Sequence, residues 1–576
     1  MLLRIYGIFL LLLLLQVGDT YAQKRSNEIE LVSPLTRTYV YPTRVLWSEG
    51  NLENVPHLLE KGNGQANLTN TNVAKFKNTS VSRSSVLLDF GKEMNGALEI
   101  VTGMWPGGGA RNIRVRFGES ANEAMAELGE KGATNDHALR DIELALPWLG
   151  KNQTGESGFR FARIDFLDKD AELHLREVRV ISTIRDIPYE GSFHSSDERL
   201  NKIWEVGAYT VHLNMQDYLW DGIKRDRLVW VGDLHPEVAT VNAVFGYNDV
   251  VPKSLDLARD ATPLPGWMCG ISTYSMWWII LHHDWYMHHG NLKYLAEQKP
   301  YLQGLVKQIV EKVKDGKEDM NGNRFLDWPS SEDPKAIHAG LQALAILSLE
   351  RAAEISEALH DVDTKKLCEE TVAAMRKYVP EHNNSKQAAA LLANVDLLDA
   401  GKAYDQVLSR GGSQNFSTFY GYYMLEAMAK AGKYEEAMAI INEFWGAMLD
   451  LGATTFWEDF NMEWLPNAAR IDELVPEGKK DIHGDYGAYC YLGYRHSFCH
   501  GWASGPTAWL SEHVLGIQVI EPGSRKFKVR PNLGHLTFVE GTYPTPFGNI
   551  WVKHTKLENG KIKSKIKAPK GVKIIR

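Results

Sequence analysis

The sequence predicts a multidomain β + α protein in which a long helical region lies between two β domains. Apolar residues alternate with period two up to about residue 183, recur at helical spacing from residue 195 to about residue 515, and alternate again after Gly516. We therefore expect an N-terminal β-sandwich at 23–188, a helical domain at 189–515 and a small C-terminal β domain at 516–576.

The N-terminal domain is predicted from short alternating runs, such as residues 86–90, 113–117 and 173–180, separated by Gly-rich turns. Runs of this kind are typical of an antiparallel β-sandwich. The glycines at 107–109 form a turn rather than a phosphate-binding loop, because no helix-like segment follows them.

The helical domain begins at a capping pattern, Ser195-Ser196-Asp197-Glu198. Clear helical periods follow at 341–359, 386–398 and 418–431. Helices joined by short loops predict stacked hairpins, arranged as an open solenoid or closed into a toroid. The sequence has no repeat of fixed length, which favours the toroid.

The chain opens with the pattern of a secretory signal peptide at residues 1–22, with an apolar core at 8–15 and small residues before the expected cleavage after Ala22. We expect an exported protein, periplasmic or secreted. The apolar stretch is shorter than the roughly 20 residues that span a membrane. No integral membrane span is therefore expected after cleavage.

Composition narrows the possible partners. A formal net charge of -8, with no basic cluster, argues against nucleic acid. The 17 tryptophans offer flat apolar faces suited to sugar rings, although tryptophan also fills cores. Four cysteines are too few to form a disulfide framework in a chain of 576 residues, but one or two bridges remain possible.

The densest group of functional residue types is the segment 220–233, with three carboxylates and three cations. A solvated salt-bridge network is the ordinary explanation of such a charge run. Trp220, Leu228 and Trp230 argue against it, because a solvated surface would not place large apolar groups among its charges.

Two further segments carry candidate groups. Glu458 follows directly on Trp457, and His500 lies among small and aromatic residues. Taken alone, each is more often structural. Glycoside hydrolysis, however, needs one carboxyl group that is protonated and another that is ionised, and neighbouring tryptophans raise the pKa of an acid by desolvating it. Together the segments favour a sugar-cleaving site.

Other chemistries fit less well. The sequence has no Gly-x-Ser-x-Gly, His-Glu-x-x-His or strand-linked Gly-x-Gly-x-x-Gly motif. The histidines of 282–289 do not share a helical face at i, i+4, and residues 319–330 lack the bidentate Glu of a calcium loop. The sequence therefore predicts neither a metal site nor a cofactor.

At these three segments, and at 192–200, 324–328 and 515–523, the chain resembles the α-L-rhamnosidases of glycoside hydrolase family 78, in the six-hairpin glycosidase superfamily. The resemblance implies a central (α/α)6 barrel flanked by an N-terminal β-sandwich and a small C-terminal β-sandwich. It also implies a rhamnose-containing glycan as substrate and hydrolysis of terminal α-L-rhamnosyl bonds with inversion.

In that family the first segment reads Asp-x-x-x-Arg-Asp-Glu-Arg-x-x-Trp-x-Gly-Asp, with the Glu as general acid. The present segment is one residue shorter. Alignment from Trp230 places Asp226 at the acid position, whereas alignment from Asp221 deletes the acid and makes Asp226 a sugar-binding residue. We prefer the first alignment, because the shorter pattern resembles one found in part of the same family.

The resemblance assigns roles to the other candidates. Glu458 matches the general base that activates water, opposite Asp226 as the general acid. The implied sugar-binding residues are Asp221, Arg225, Trp230, Asp233, Trp328, Trp457 and His500.

Two rival functions remain open from the sequence. The shortened acid motif would also suit a sugar-binding homologue that has lost catalysis. Another enzyme on the same barrel, such as a polysaccharide lyase or an unsaturated-uronide hydrolase, is the second rival. A lyase would need Tyr or His as base and Arg or Lys around a uronate, which these segments supply less well than paired carboxylates.

Overall fold

The computed structural model describes residues 33–69 and 71–576. The expected signal peptide at 1–22 lies outside the described residues. Within them, a β domain, a helical domain and a second β domain follow one another along the chain.

The N-terminal domain is built from antiparallel strands that hydrogen bond into one ten-stranded sheet. Its strands are β1 (Leu35–Val40), β2 (Arg44–Glu49), β3 (Asn51–Glu53), β4 (Ala74–Lys77), β5 (Ser85–Thr102), β6 (Arg111–Gly118), β7 (Asp141–Leu146), β8 (Lys151–Gln153), β9 (Ser157–Phe166) and β10 (Glu172–Arg185). A short helix, α1 (Ala121–Met125), follows β6.

Strand β5 explains why the predicted β domain forms a single hydrogen-bonded sheet. Its first half pairs with β2, its second half pairs with β8 and β10, and β9 follows it across the register shift between Asp89 and Met94. Alternate side chains of the strands, including Leu88, Ile113 and Ile164, are fully buried in one apolar core. The buried residues of this core are the apolar members of the period-two pattern in the sequence.

Twelve α-helices lie between residues 198 and 514, a range that is described throughout. They are α2 (Glu198–Asn214), α3 (Leu234–Val244), α4 (Val250–Asp260), α5 (Ser272–His289), α6 (Leu292–Glu311), α7 (Pro334–Ala358), α8 (Val362–Met375), α9 (Lys386–Asn394), α10 (Ala400–Ala403, extended by the turn Tyr404–Leu408), α11 (Gly421–Lys430), α12 (Tyr434–Asp450) and α13 (Gly505–Trp509, extended by Leu510–Val514).

Alternate helices form a closed inner ring. Helix α3 packs on α5, α5 on α7, α7 on α9, α9 on α11, α11 on α13, and α13 returns to α3. Position in the ring decides the residue pattern: every residue of α5 from Ser272 to His283 is buried, whereas α6 buries one stripe at Leu295, Leu302, Leu305 and Ile309. The predicted (α/α)6 barrel is confirmed.

The helix boundaries follow ordinary capping chemistry. Helix α2 starts at the predicted pattern, where the Asp197 side chain accepts hydrogen bonds from the N–H groups of Arg199 and Leu200. Asp333 and Ser385 cap α7 and α9 in the same way. The loops that precede the inner helices gather at one rim of the barrel.

The C-terminal domain has two small sheets. Strands β18 (Phe538–Tyr543), β19 (Ile550–Lys556) and β20 (Ile562–Lys567) form one, and β16 (Ile517–Glu521), β17 (Lys526–Val529) and β21 (Lys573–Ile575) form the other. The edge of the first sheet is β11 (Ser192–Ser195), which precedes the barrel in sequence and pairs with β18. The C-terminal domain is therefore completed by residues that come before the helices.

Two short pairs of strands lie in barrel loops: β12 (Val313–Lys314) with β13 (Lys317–Glu318), and β14 (Ala468–Ala469) with β15 (Lys480–Asp481). All four cysteines are free thiols, so neither of the disulfides that the sequence left open is formed. Among the described residues, no helix combines the length and the apolar composition needed to cross a membrane.

Candidate active site

A cavity of about 400 Å³ opens at the barrel rim where the inner helices begin. Its volume lies within the range usual for small-molecule sites, roughly 300–1,000 Å³. The wall comes from loops before the inner helices, from the loop 485–500 and from one loop of the N-terminal domain. The lining residues are His137, Asp221, Arg225, Asp226, Trp230, Asp233, Ile271, Tyr274, Asn323, Phe325, Trp328, Glu458, Cys490, Tyr491, Arg495, His500 and Trp502.

The structure brings eight of the nine sequence-predicted site residues to this cavity. The exception is Trp457, which lies behind the wall. Its ring is fully buried and stacks on Phe498, with ring centroids 4.1 Å apart. Trp457 thus supports the backbone that carries Glu458, and in this structure it does not contact the cavity.

The acidic segment 220–233 folds as a compact loop between α2 and α3. A β-bridge joins Gly222 to His500, and the N–H of Gly501 donates to the carbonyl of Asp221 at 2.8 Å. Asp226 and Arg227 both adopt left-handed backbone conformations, with φ of 58° and 57°. For non-glycine residues this costs about 1–2 kcal/mol each, so the surrounding contacts must hold the turn in place.

Lys224 provides one of those contacts from inside the protein. Its ammonium lies 3.1 Å from Glu119 and 3.2 Å from Glu123 of the N-terminal domain, and donates to the carbonyls of Tyr494 and His496 at 2.9 and 2.6 Å. Burial raises the pKa of Glu119 to about 7, although the charge of Lys224 opposes the rise. The lysine therefore fastens the acidic loop to the β domain.

The two carboxyl groups proposed for catalysis meet at a single guanidinium. Arg225 donates through Nη1 to Oδ1 of Asp226 at 2.8 Å and through Nη2 to Oε1 of Glu458. Trp230 Nε1 donates to the other oxygen of Asp226 at 3.1 Å. Asp226 and Glu458, more than 200 positions apart in sequence, thus contact the two terminal nitrogens of the Arg225 guanidinium.

Glu458 is held in its ionised form. Burial by itself would raise its pKa, but the charges of Arg225 and His500 outweigh burial and lower it to about 2. The N–H of Ser497 donates to its second oxygen at 3.2 Å. An ionised carboxylate in a cavity can accept a proton from water, which is the requirement for a general base.

Two further acidic side chains, Asp221 and Asp233, lie near His500. Its Nε2 lies 3.3 Å from Oδ2 of Asp233, whose Oδ1 accepts a hydrogen bond from the Tyr274 hydroxyl at 2.8 Å. Burial raises the pKa of Asp221 and of Asp233. Burial would lower the pKa of His500, but the charges of Glu458, Asp233 and Asp221 raise it overall. These groups offer donors and acceptors for sugar hydroxyls.

Gly232 explains one feature of the Trp230-Val-Gly-Asp233 sequence. A Cβ at this position would lie 2.2 Å from two ring atoms of Tyr274. Because the Tyr274 ring must pass this close for its hydroxyl to reach Asp233, the position requires glycine.

Several residues that line the cavity were not predicted from the sequence. Trp502 lies two residues after His500, and Tyr274 lies in the first turn of α5. Tyr491 accepts a hydrogen bond from Trp328 Nε1 at 2.5 Å and lies 5.3 Å from the Arg225 guanidinium. His137 and Arg495 are single residues in loops with no local signal, so their place at the cavity follows from tertiary structure.

Comparison with known families gives two matches. Residues 188–514 match the model described as bacterial alpha-L-rhamnosidase 6 hairpin glycosidase domain, and residues 516–575 match the bacterial alpha-L-rhamnosidase C-terminal domain.

Two curated relatives are named alpha-L-rhamnosidase. One, from Alteromonas sp. (strain LOR), is 24% identical over 536 residues, which cover 83% of this chain and 54% of the relative. The other, from Formosa agariphila, is 22% identical over 480 residues, covering 72% of this chain and 46% of the relative. The chain thus spans about half the length of these relatives.

Solved structures share the fold. The GH78 family rhamnosidase of Bacillus sp. GL1 superposes with a TM-score of 0.73 at 22% identity, covering 90% of this chain and 55% of that chain. The rhamnosidase from Klebsiella oxytoca with rhamnose bound gives a TM-score of 0.64 at 18% identity, covering 83% of this chain and 96% of that chain.

Proposed function

The chain belongs to the bacterial α-L-rhamnosidase six-hairpin glycosidase family, and we propose that it hydrolyses terminal α-L-rhamnosyl linkages with inversion at the anomeric carbon. The observation that carries this proposal is the arrangement of Asp226 and Glu458 on either side of Arg225, at the edge of a sugar-sized cavity that opens at the barrel rim.

Glu458 is the proposed general base. It is buried and ionised, and it receives hydrogen bonds from Arg225 and the Ser497 N–H. In an inverting enzyme the base deprotonates a water that attacks the anomeric carbon from the face opposite the leaving group. Water must fit between base and sugar, which is why inverting enzymes separate their carboxyl groups by roughly 6.5–9.5 Å.

Asp226 is the proposed general acid, which protonates the leaving oxygen. It is the more accessible carboxyl of the pair, with 14% of its side chain exposed against 2% for Glu458. The outer position suits a group that must reach the glycosidic oxygen and the departing aglycone. Asp226 therefore serves the open side of the cavity, and Glu458 the floor.

The remaining polar groups bind the sugar. Asp221, Asp233 and His500 line the cavity together, and Nδ1 of His500 lies 3.7 Å from Oε1 of Glu458. Trp230, Trp328 and Trp502 supply aromatic surface, which suits the apolar face and the methyl group of a 6-deoxy sugar. Solved relatives of this fold from Klebsiella oxytoca and Streptomyces avermitilis have rhamnose bound, which supports rhamnose as the occupant.

The setting of the reaction is also a proposal. The signal-peptide pattern at residues 1–22 supports export to the periplasm or the medium. The substrates would then be rhamnose-containing oligosaccharides or glycosides met outside the cytoplasm.

A panel of 4-nitrophenyl glycosides tests the activity. We expect release of nitrophenol from the α-L-rhamnoside, with far slower release from the α-L-fucoside and α-L-arabinofuranoside. Glu458→Gln should lower kcat by about 10²–10⁴-fold, the usual contribution of a general base. The adjacent Asp459→Asn is the matched control, because Asp459 does not line the cavity. Absence of turnover on every member of the panel would refute the proposal.

A second candidate is a rhamnose-binding protein without catalysis. One observation favours it: the Asp226 carboxyl is paired with the Arg225 cation, whereas a general acid must carry a proton. Titration calorimetry separates the two functions, since a binding protein would take up L-rhamnose with no turnover of any rhamnoside, and Asp226→Asn would change neither result.

A further inference from the structure

A loop of the N-terminal β domain, residues 126–140, reaches the cavity. Hydrogen bonds within the N-terminal domain hold the C-terminal end of this loop. Asn135 Oδ1 accepts the N–H groups of Arg140 and Asp141 at 3.1 and 3.0 Å. The buried Arg140 donates to the carbonyls of Phe117 and Glu123 at 3.3 and 2.5 Å. The base of the tip, Asp136 and His137, is therefore held by hydrogen bonds within the β domain.

The tip touches the acidic loop at the proposed general acid. His137 Nδ1 lies 3.5 Å from Oδ1 of Asp226 and 3.4 Å from its backbone carbonyl oxygen. On the other side of the ring, Nε2 lies 3.0 Å from Oδ1 of Asp136. Asp136 Oδ2 in turn accepts a hydrogen bond from Arg495, at 2.7 Å. A chain of polar contacts thus connects Arg495, Asp136, His137 and Asp226.

The backbone on both sides of this contact is strained. His137 has a φ of 65°, and Asp226 opposite it has a φ of 58°. Each left-handed residue that is not glycine costs about 1–2 kcal/mol. Such conformations persist where surrounding structure over-determines them, and they cluster at functional sites. Here two strained residues from different domains face each other at a cavity wall.

The contacts of Asp226 show what His137 adds. Arg225 and Trp230 hold the two carboxyl oxygens and belong to the same short loop as Asp226, and Arg225 also donates to Glu458. His137 contacts the carboxyl and the carbonyl of Asp226 from a separate domain. This contact adds, from outside the loop, a restraint on the position of Asp226 relative to Glu458.

We propose that His137 is a positioning residue for the general acid, supplied by the N-terminal β domain, and that Asp136 orients its imidazole. The inference rests on the proposed function, in which Asp226 protonates the leaving oxygen. It makes the N-terminal domain a part of the active site in addition to a packing partner of the barrel.

The test exploits the dependence of acid catalysis on the leaving group. A phenyl leaving group needs protonation, whereas 2,4-dinitrophenolate leaves without it. For His137→Ala in the full chain, we expect kcat/KM to fall about 10-fold to 100-fold on phenyl α-L-rhamnoside, a part of the 10²–10⁴-fold that an acid supplies. On the dinitrophenyl substrate we expect a change of less than about 3-fold. His137→Gln, which keeps a hydrogen-bonding side chain, should recover part of the loss.

His57→Ala is the matched control, because this histidine belongs to the same domain and pairs with Glu60, away from the cavity. Asp136→Asn gives an independent measurement should His137→Ala fail to fold. With an active wild type, equal losses on both substrates, or no loss on either, would overturn the inference. No turnover by the wild type on either substrate would instead overturn the proposed function itself.

Discussion

At the residue scale, Arg225 is the side chain on which the proposed chemistry depends most. Its guanidinium contacts both Asp226 and Glu458, and its charge is the main influence that keeps the pKa of Glu458 low against the effect of burial. An arginine suits this place because its rigid fork can hold two carboxylates at once and stays charged.

Replacing Arg225 tests that influence through pH. In Arg225→Met, burial is no longer opposed by the guanidinium, so the pKa of Glu458 should rise from about 2. A base with a higher pKa is protonated at higher pH. The acidic limb of the kcat/KM profile should therefore move to higher pH, by at least one unit, and the maximum should fall.

Arg227→Met is the control for that measurement. Arg227 lies two residues further along the same loop, over the ring of Trp220 at 4.5 Å, and donates to the Glu156 carbonyl. Its replacement should leave the acidic limb in place. An unmoved limb in Arg225→Met as well would contradict the assignment of Glu458 as the base.

The sequence predicted those site residues that lie close together in one motif. Asp221, Arg225, Asp226, Trp230 and Asp233 lie within one short segment and all line the cavity. The family resemblance implied that Trp457 binds sugar, but adjacent residues of an extended chain point in opposite directions. When Glu458 faces the cavity, Trp457 faces Phe498 instead.

At the scale of elements, the acidic loop is shaped by contacts at its two ends and its middle. Gly222 is bridged to His500, Lys224 is buried against the β domain, and Gly232 lies against Tyr274. None of these partners is adjacent in sequence. The loop therefore depends on the whole rim for its conformation.

Gly232→Ala tests the approach of Tyr274. The added Cβ would lie 2.2 Å from the ring and force it away, so Asp233 would lose the hydroxyl donor at 2.8 Å. A hydrogen bond to a charged group contributes about 1.5–3 kcal/mol. We expect KM for the aryl rhamnoside to rise about 10-fold or more. Gly155→Ala, where a Cβ would meet open space, should be without effect.

Lys224→Met tests the contact between the loop and the β domain. Its loss leaves Glu119 buried without its cation, whereas Glu123 keeps Arg140, and a broken buried pair costs about 3–5 kcal/mol. Burial already raises the pKa of Glu119 to about 7, and a protonated carboxyl needs no cation. The deficit in Tm should therefore be larger at pH 8 than at pH 5.

Scanning calorimetry at the two pH values measures this deficit. Lys202→Met is the matched control, since Lys202 is exposed and pairs with Glu205 on the surface. A Tm deficit of Lys224→Met that is the same at both pH values would show that the buried carboxylates are not its cause.

At the scale of the whole molecule, the order of β domain, barrel and β domain was predictable because hydrophobic period changes twice along the chain. The pairing of strands from distant segments could not be predicted from the sequence. Strand β11, at Ser192–Ser195, belongs to the C-terminal sheet because it pairs with β18, and nothing in its own four residues indicates that partner. The same holds for His137, which reaches the cavity from the other β domain.

The three domains act as one frame for the site. The barrel supplies Glu458 and the acidic loop. The N-terminal domain holds that loop, because its Glu119 pairs with Lys224 of the loop and its His137 contacts Asp226. The C-terminal sheet closes over the chain entering α2. The geometry of Asp226 and Glu458, the pair proposed for catalysis, is therefore a property of the assembled chain and not of the barrel alone.

The reaction proposed for Asp226 and Glu458 is hydrolysis of an α-L-rhamnosyl linkage with inversion. Proton NMR of the sugar anomers during the first minutes of turnover on an aryl α-L-rhamnoside tests it most directly. We predict that β-L-rhamnose forms first and then mutarotates to the equilibrium mixture. Initial formation of α-L-rhamnose would mean that a protein carboxylate attacks the sugar, and would contradict the roles assigned to this pair.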